Sequence, residues 1–204
     1  MKIAVFGSDQ AFKAISGLST EAEWQRAGSI EALLKIKEAD ALFNLAENAG
    51  EMDYSSTVLP VFINSVSHTL KEMKHAANVV RINGWNGFLE RSIWETSGVI
   101  SETHAAVLQL LQRKFVVLPD EPGFISARII GMIINEGFFA KGENVSTEEE
   151  IDIAMKLGTN YPKGPFEWMK EIGIQNIYTL LKVLDKSDNR YHPSPLLQSE
   201  ASLP

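Results

Sequence analysis

Cysteine is missing from all 204 residues, which removes disulfides, thiolate nucleophiles and cysteine-bound metals from consideration. Cations are scarce too. Lysine and arginine total 19 against 26 acids, for a net charge of −7, and no basic stripe stands out. Phosphate binding needs clustered Lys and Arg, so this balance argues against a nucleic-acid partner. No apolar run approaches the roughly 20 residues of a membrane span. The opening "MKIAVFGSDQ" is too short for the apolar part of a signal peptide plus a cleavage site. The four histidines, His68, His75, His104 and His192, show no metal-ligand spacing, so no metal is expected. Neither a G-x-S-x-G elbow nor a P-loop occurs. These absences leave a cytoplasmic soluble protein, and 45% apolar with 22% charged residues fits a globular chain with a real core.

The first half reads as α/β. "KIAVFG" is a short apolar run closed by Gly7, suited to a buried parallel strand, and "DALFNLAE", "NVVRIN" and "KFVVLPD" read as further strands. "TVLPVFINS" is a further strand candidate, which Pro60 weakens at its centre or assigns to an edge. Helical spacing marks "SIEALLKIKEA" with Ser29 as N-cap and Lys37 on its face, then "HTLKEMKHAA" and "SETHAAVLQLLQR". Strands alternating with helices imply a mostly parallel sheet. Between the first strand and "DALFNL" there is room for little more than one helix and a crossing segment.

Near Asp120 the pattern changes, giving expected domains 1–119 and 120–204. "FISARIIGMIINEGFFAKG" is apolar on most faces, as in a core or an interface. "STEEEIDIAMKLG" predicts a capping box from Ser146 to Glu149 and an end at Gly158. Its acids complement a helix start and do not form a calcium loop. "GPFEWMKEIG" places Pro165 in a first turn, "IQNIYTLLKVLDK" is amphipathic, and the tail "RYHPSPLLQSEASLP" reads as partly extended or disordered.

"VVRINGWNGFLERSIWET", residues 79–96, sets Asn83, Asn86 and Glu95 around a strand end with Trp85 and Trp94 beside them. Tryptophans in such places most often anchor a core or an interface. The polar residues look like a site.

"DEPGFISARI", "NEGFFAKGENVSTEEEIDIAMKLGTNYPKGPFEWMKEIG" and "YHPSPLL" resemble the C-terminal domain of the 3-hydroxyacyl-CoA dehydrogenase family. The "PGF" turn, the "ID-x-AM-x-x-G" helix and "YP-x-GPFE" are together specific. In the first half "KIAVFG", "EADALFNLAEN" and "FINSVSHTL" resemble the family's first strand, its acid-bearing strand and its "SNTSSL" segment. The resemblance implies a shortened Rossmann-like domain followed by an all-helical one. It also implies fatty-acid metabolism, NAD as cofactor, an acyl-CoA-like ligand, and a homodimer formed through the helical domain.

The family's "HFFNP" falls on "NGWNG", Asn83 to Gly87, and its buried carboxylate falls on Glu95. By resemblance, then, Asn83 and Glu95 occupy the catalytic dyad. The family's substrate-contacting serine falls on Val66 or Ser67, its "PGF-x-x-NR" asparagine on Ala127, and its arginine is kept as Arg128. A histidine base takes a proton near neutral pH, whereas an asparagine amide has no lone pair basic enough to do so. The cofactor would meet Gly7, Ser8 and Glu47, with Glu21 or Glu23 imitating the ribose acid. Where the family carries G-x-G-x-x-G this chain reads "GSDQAF", and Asp9 brings negative charge to the place of a diphosphate. The expected function is a family homologue without ordinary dehydrogenase activity that binds an acyl-CoA-like ligand or a partner. The alternative is an active NAD-dependent oxidoreductase with Glu95 in place of the missing histidine.

Overall fold

A strand apolar at every position needs cover on both faces; "IAV", "ALFN" and "VVRI" find it, whereas "KFVV", at an edge of the sheet, stays exposed at all four positions. The structure, a computed structural model, describes residues 1–47, 49–73 and 77–203. Its strands are β1 (Lys2–Phe6), β2 (Glu23–Arg26), β3 (Ala41–Asn44), β4 (Val61–Asn64), β5 (Val79–Ile82), β6 (Ile93–Ser97) and β7 (Lys114–Val117). They form one sheet in the order β2-β1-β3-β4-β5-β6-β7. Neighbours run parallel except at β5 and β6, which a short loop joins in antiparallel fashion. The helices of this part are α1 (Asp9–Ser16), α2 (Ile30–Lys35), α3 (Leu70–Met73) and α4 (Glu102–Leu110).

Side-chain alternation divides the core. Ile3, Val5, Phe43, Phe62, Val80 and Ile82 pack with Ala11 and Ile15 of α1 and with Val107 and Leu108 of α4. Ala4, Leu42, Val61, Ile63 and Val79 face the other way, onto Ile30 and Leu33 of α2. Phe43 and Phe62 stack with centroids 4.5 Å apart, tying two inner strands together.

Several expectations need correction. β2 is present, so residues 8–40 hold a helix, a strand and a second helix in place of one helix and a crossing segment. "EWQR" pairs on one side only, as an edge strand, and therefore carries no apolar run to mark it. Val61–Asn64 is an inner strand, with Pro60 just ahead of it, where a missing N–H costs the ladder nothing. Ser29 caps α2 by accepting from the Ala32 N–H, but the helix stops at Lys35, so Lys37 is not on its face. Part of the helix expected over 68–77, including His75, lies outside the described residues.

The chain divides into two compact units, Met1–Phe124 and Ile125–Pro204. The second holds α5 (Ser126–Gly142), α6 (Glu148–Thr159), α7 (Pro165–Ile172), α8 (Ile174–Asp185) and α9 (Pro195–Ala201). The apolar helix α5 is its core, burying Ala127, Ile130, Ile134, Gly137 and Phe138. The cap of α6 is one residue later than expected: Thr147, not Ser146, accepts from the Glu150 N–H. The same helix runs through Gly158 and ends on Asn160, whose left-handed φ of 57° supplies the stop. Buried Asp152 accepts the N–H groups of Phe166 and Glu167 at 2.8 and 3.1 Å, capping α7 from a neighbouring helix. A Cβ at Gly164 would stand 2.4 Å from the Asp152 Cα, so "GPFE" needs its glycine for this approach. The tail is ordered. Asn135 accepts the Ser194 N–H at 2.8 Å and donates to the His192 carbonyl at 2.9 Å, and Ser194 then caps α9.

Candidate active site

Ligands of open α/β sheets bind outside the carboxyl ends of the strands, where the winding direction reverses. Here the chain leaves β1 for β2 on one side and returns to β3 on the other, so the reversal lies between β1 and β3. The ends of β3, β4 and β5 carry Asn44, Asn64 and Asn83, all buried polar groups. The Asn64 Oδ1 accepts the Gly84 N–H at 3.1 Å, and a Cβ at Gly84 would meet the Asn64 Cβ at 2.9 Å. The turn after β5 is therefore pressed onto the end of β4.

The β5–β6 register pairs Arg81 with Ser97 and Ile82 with Thr96. Asn83 thus follows β5 directly, and Glu95 lies in β6, the strand paired with it. The Asn83 Oδ1 accepts the Trp85 N–H at 3.3 Å, an Asx turn that commits its oxygen to the backbone. Glu95 is half-buried. Ser67 is half-buried in the loop after β4, whereas the Val66 side chain is buried. Ala127 and Arg128 lie in the first turn of α5, in the helical unit; Ala127 is fully buried and its methyl offers no hydrogen bond.

Arg81 was not among the expected site residues. It is fully buried and donates from Nε to the Ser65 carbonyl at 2.9 Å, and from Nη2 to the Val66 and Glu121 carbonyls. Its Nη1 meets Asp120 at 2.5 Å, and its guanidinium carbon lies 4.8 Å from the centre of the Phe124 ring. Asp120 also accepts the Leu70 and Lys71 N–H groups and the Ser97 hydroxyl. Burial pushes the Asp120 carboxyl up, but the Lys71 and Leu70 amides and the Arg81 guanidinium outweigh it and hold the group below the ordinary range. One cation thus ties the Ser67-bearing loop to segment 120–124. A lone Arg inside "VVRIN" gave no signal of this, since its partners come from distant segments.

At the β1 end, Gly7, Ser8 and Glu47 share one sheet edge, because the Leu45 N–H donates to the Phe6 carbonyl just before Glu47. A Cβ on Gly7 would come 3.0 Å from the Leu45 Cβ, so close strand packing already requires this glycine. The Ser8 hydroxyl accepts the Ala11 N–H at 3.1 Å. Glu21 and Glu23 do not take the ribose position. Glu23 starts β2 opposite Lys2, with Glu21 ahead of it, at the far edge of the sheet, and the residue closing β2 is Arg26.

The family model for the 3-hydroxyacyl-CoA dehydrogenase C-terminal domain matches residues 123–203. Residues 123–203 belong to the 3-hydroxyacyl-CoA dehydrogenase family. The chain is 41% identical over 107 residues to 3-hydroxyadipyl-CoA dehydrogenase of Escherichia coli, covering 50% of this chain and 22% of that protein. It is similar to the solved 3-hydroxybutyryl-CoA dehydrogenase of Escherichia coli at 30% identity and a TM-score of 0.57, covering 69% of this chain and 31% of that one. The solved (S)-3-hydroxybutyryl-CoA dehydrogenase of Ralstonia eutropha superposes over 97% of this chain and 92% of its own, with a TM-score of 0.67. At 19% identity that likeness shows the fold. The sequence matches to the two Escherichia coli proteins span less than a third of their lengths.

Residues at the β1 edge of this dehydrogenase-like fold do not fit the pyrophosphate of NAD, which the family resemblance implies. A dinucleotide site leaves the N–H groups of the first helical turn open to phosphate and keeps side chains out of the way. Here Ser8 takes one of those N–H groups itself, and the Asp9 carboxylate stands at the helix start, paired at 2.5 Å with Arg26. Among the described residues, no group of three or more His, Cys, Asp or Glu is placed to hold a metal. No helix there is long and apolar enough to cross a membrane.

Proposed function

We propose that this chain is a 3-hydroxyacyl-CoA dehydrogenase homologue that binds an acyl-CoA-like ligand without ordinary dehydrogenase turnover. The observation that carries the reading is Asn83 at the end of β5, beside the strand that holds Glu95, with its oxygen held in an Asx turn. The arrangement can donate a hydrogen bond to a ligand carbonyl, but asparagine cannot accept the proton of a hydroxyl. What remains fits recognition. Polar groups converge at the strand ends beside Trp85 and Phe88, whose rings meet edge to face at 6.1 Å.

Calorimetry with acetoacetyl-CoA, alongside absorbance of NADH and NADPH, tests the reading. Saturable acyl-CoA binding with no nucleotide oxidation is expected. Turnover in the ordinary enzymatic range, about 1 per second or faster, would show the reading of Asn83 to be wrong. The half-buried position of Glu95 supports a second reading, an oxidoreductase with that carboxylate as base. It requires Glu95→Gln to abolish a turnover that the wild type possesses.

The helical unit is further proposed to form a homodimer. Ile153 and Leu157, one turn apart on α6, are 52% and 83% exposed, and Ile129 on α5 is 55% exposed. These apolar side chains share the unit that the family resemblance assigns to dimer contacts.

A further inference from the structure

The glycine pattern of a dinucleotide turn falls here on positions 7, 9 and 12, and each of the three touches the same residue. Arg26 Nη2 donates to the Gly7 carbonyl at 3.3 Å and pairs with the Asp9 carboxylate at 2.5 Å, and its guanidinium carbon lies 5.5 Å from the centre of the Phe12 ring. Arg26 closes β2, the strand next to β1, at the carboxyl edge of the sheet. In this fold the end of that strand reads the adenosine ribose. An acid there takes the free hydroxyls, and an arginine takes a 2′-phosphate.

Two charges are therefore in unusual places and answer each other. Asp9 would repel the pyrophosphate, while Arg26 would attract the phosphate of the ribose. Their ion pair joins both across the mouth of the turn, so the anion facing the guanidinium is the chain's own carboxylate. Ser8 completes the closure by capping the Ala11 N–H that a phosphate would otherwise meet. We infer that Arg26 is the specificity residue of a dinucleotide site that Asp9 closes from within, and that with Asp9 removed the site selects a nucleotide carrying a 2′-phosphate. The inference concerns nucleotide binding and does not depend on Asn83 or on the proposed loss of turnover.

The pair is accessible, with the Arg26 and Asp9 side chains 44% and 92% exposed, so either can be replaced without disturbing a core. NADPH and NADH are titrated by calorimetry into the full chain, its Asp9→Gly and Asp9→Asn variants, and Asp9→Gly/Arg26→Ala. The wild type is expected to show no saturable binding of either nucleotide. Asp9→Gly should bind NADPH about tenfold more tightly than NADH, a difference typical of one charge-assisted contact. Asp9→Asn should gain less, and the double variant should bind both nucleotides alike. Circular dichroism checks that each variant is folded, and Asp9→Asn, which keeps a polar side chain at the helix start, covers the case in which the glycine loosens α1. Micromolar binding of NADH by the wild type would overturn the closure. A preference for NADH in Asp9→Gly, or no gain in either single variant, would overturn the role of Arg26.

Discussion

Arg81 and Asp120 show how much one residue can hold. A fully buried guanidinium is tolerated only when its donors are met, and here three carbonyls, one carboxylate and one aromatic ring meet it. Phe124, at the end of the tethered segment, has a φ of 48°, a strained value for an aromatic residue that the surrounding contacts must impose. Asp120→Ala removes one partner and leaves the cation buried, so a loss of about 3 kcal/mol is expected in urea unfolding. Replacing the pair together, as Arg81→Met/Asp120→Leu, should recover part of that loss, because no charge is then left unpaired. The Asp120 carboxyl is held below its ordinary range in the folded chain. Its stabilisation is therefore complete above the unfolded value, near 3.9, and is lost as pH falls through the lower folded value.

Among the elements, α4 has the most informative cap. Ser101 accepts the His104 N–H, and the His104 Nδ1 accepts the Ser101 N–H at 3.3 Å, closing a box in which histidine replaces the usual acid. The Nε2 atom faces the Asn78 carbonyl at 3.0 Å, which only accepts, so the neutral ring carries its proton there. Burial pushes His104 down, and the bond to Asn78 only partly opposes this. Below about pH 6.5 the unfolded chain takes a proton that the folded ring refuses. Stability should thus fall as pH drops through that value and level off below the folded one. Urea midpoints at about pH 7.5 and 5.5 measure the slope, which His104→Gln should flatten; an unchanged slope in that variant would assign the effect elsewhere. The helix itself was legible from its spacing. The role of His104 was not, because Asn78 lies 26 residues away and only the folded sheet places it there.

For the whole molecule, the prediction is assembly. Light scattering is expected to give the mass of a dimer. Ile153→Lys/Leu157→Lys should then shift it to a monomer by placing two cations in an apolar contact. A monomeric wild type would refute the proposed homodimer. At this scale the fold class followed from alternating periodicities and from the "PGF" and "GPFE" motifs, both of which have structural reasons here. Gly164 gives way to Asp152, and the segment ending in "PGF" is tied to Arg81. The edge strand β2 was hidden, because an edge strand need not be apolar.

Sequence alone determined that the chain would pair an α/β part with a helical one, and the resemblance it carries is what points to Asn83 and Glu95. Those conclusions depend on local periodicity and on residue chemistry, which the order of amino acids carries directly. Only the tertiary structure decided what those residues face. The antiparallel pairing of β5 with β6 put Glu95 in the strand beside the one that Asn83 follows, burial made Arg81 a tether, and the pairing of β2 with β1 set Arg26 over positions 7, 9 and 12. Each depends on strands and loops brought together from far along the chain, and strand order is a property of packing, not of local sequence.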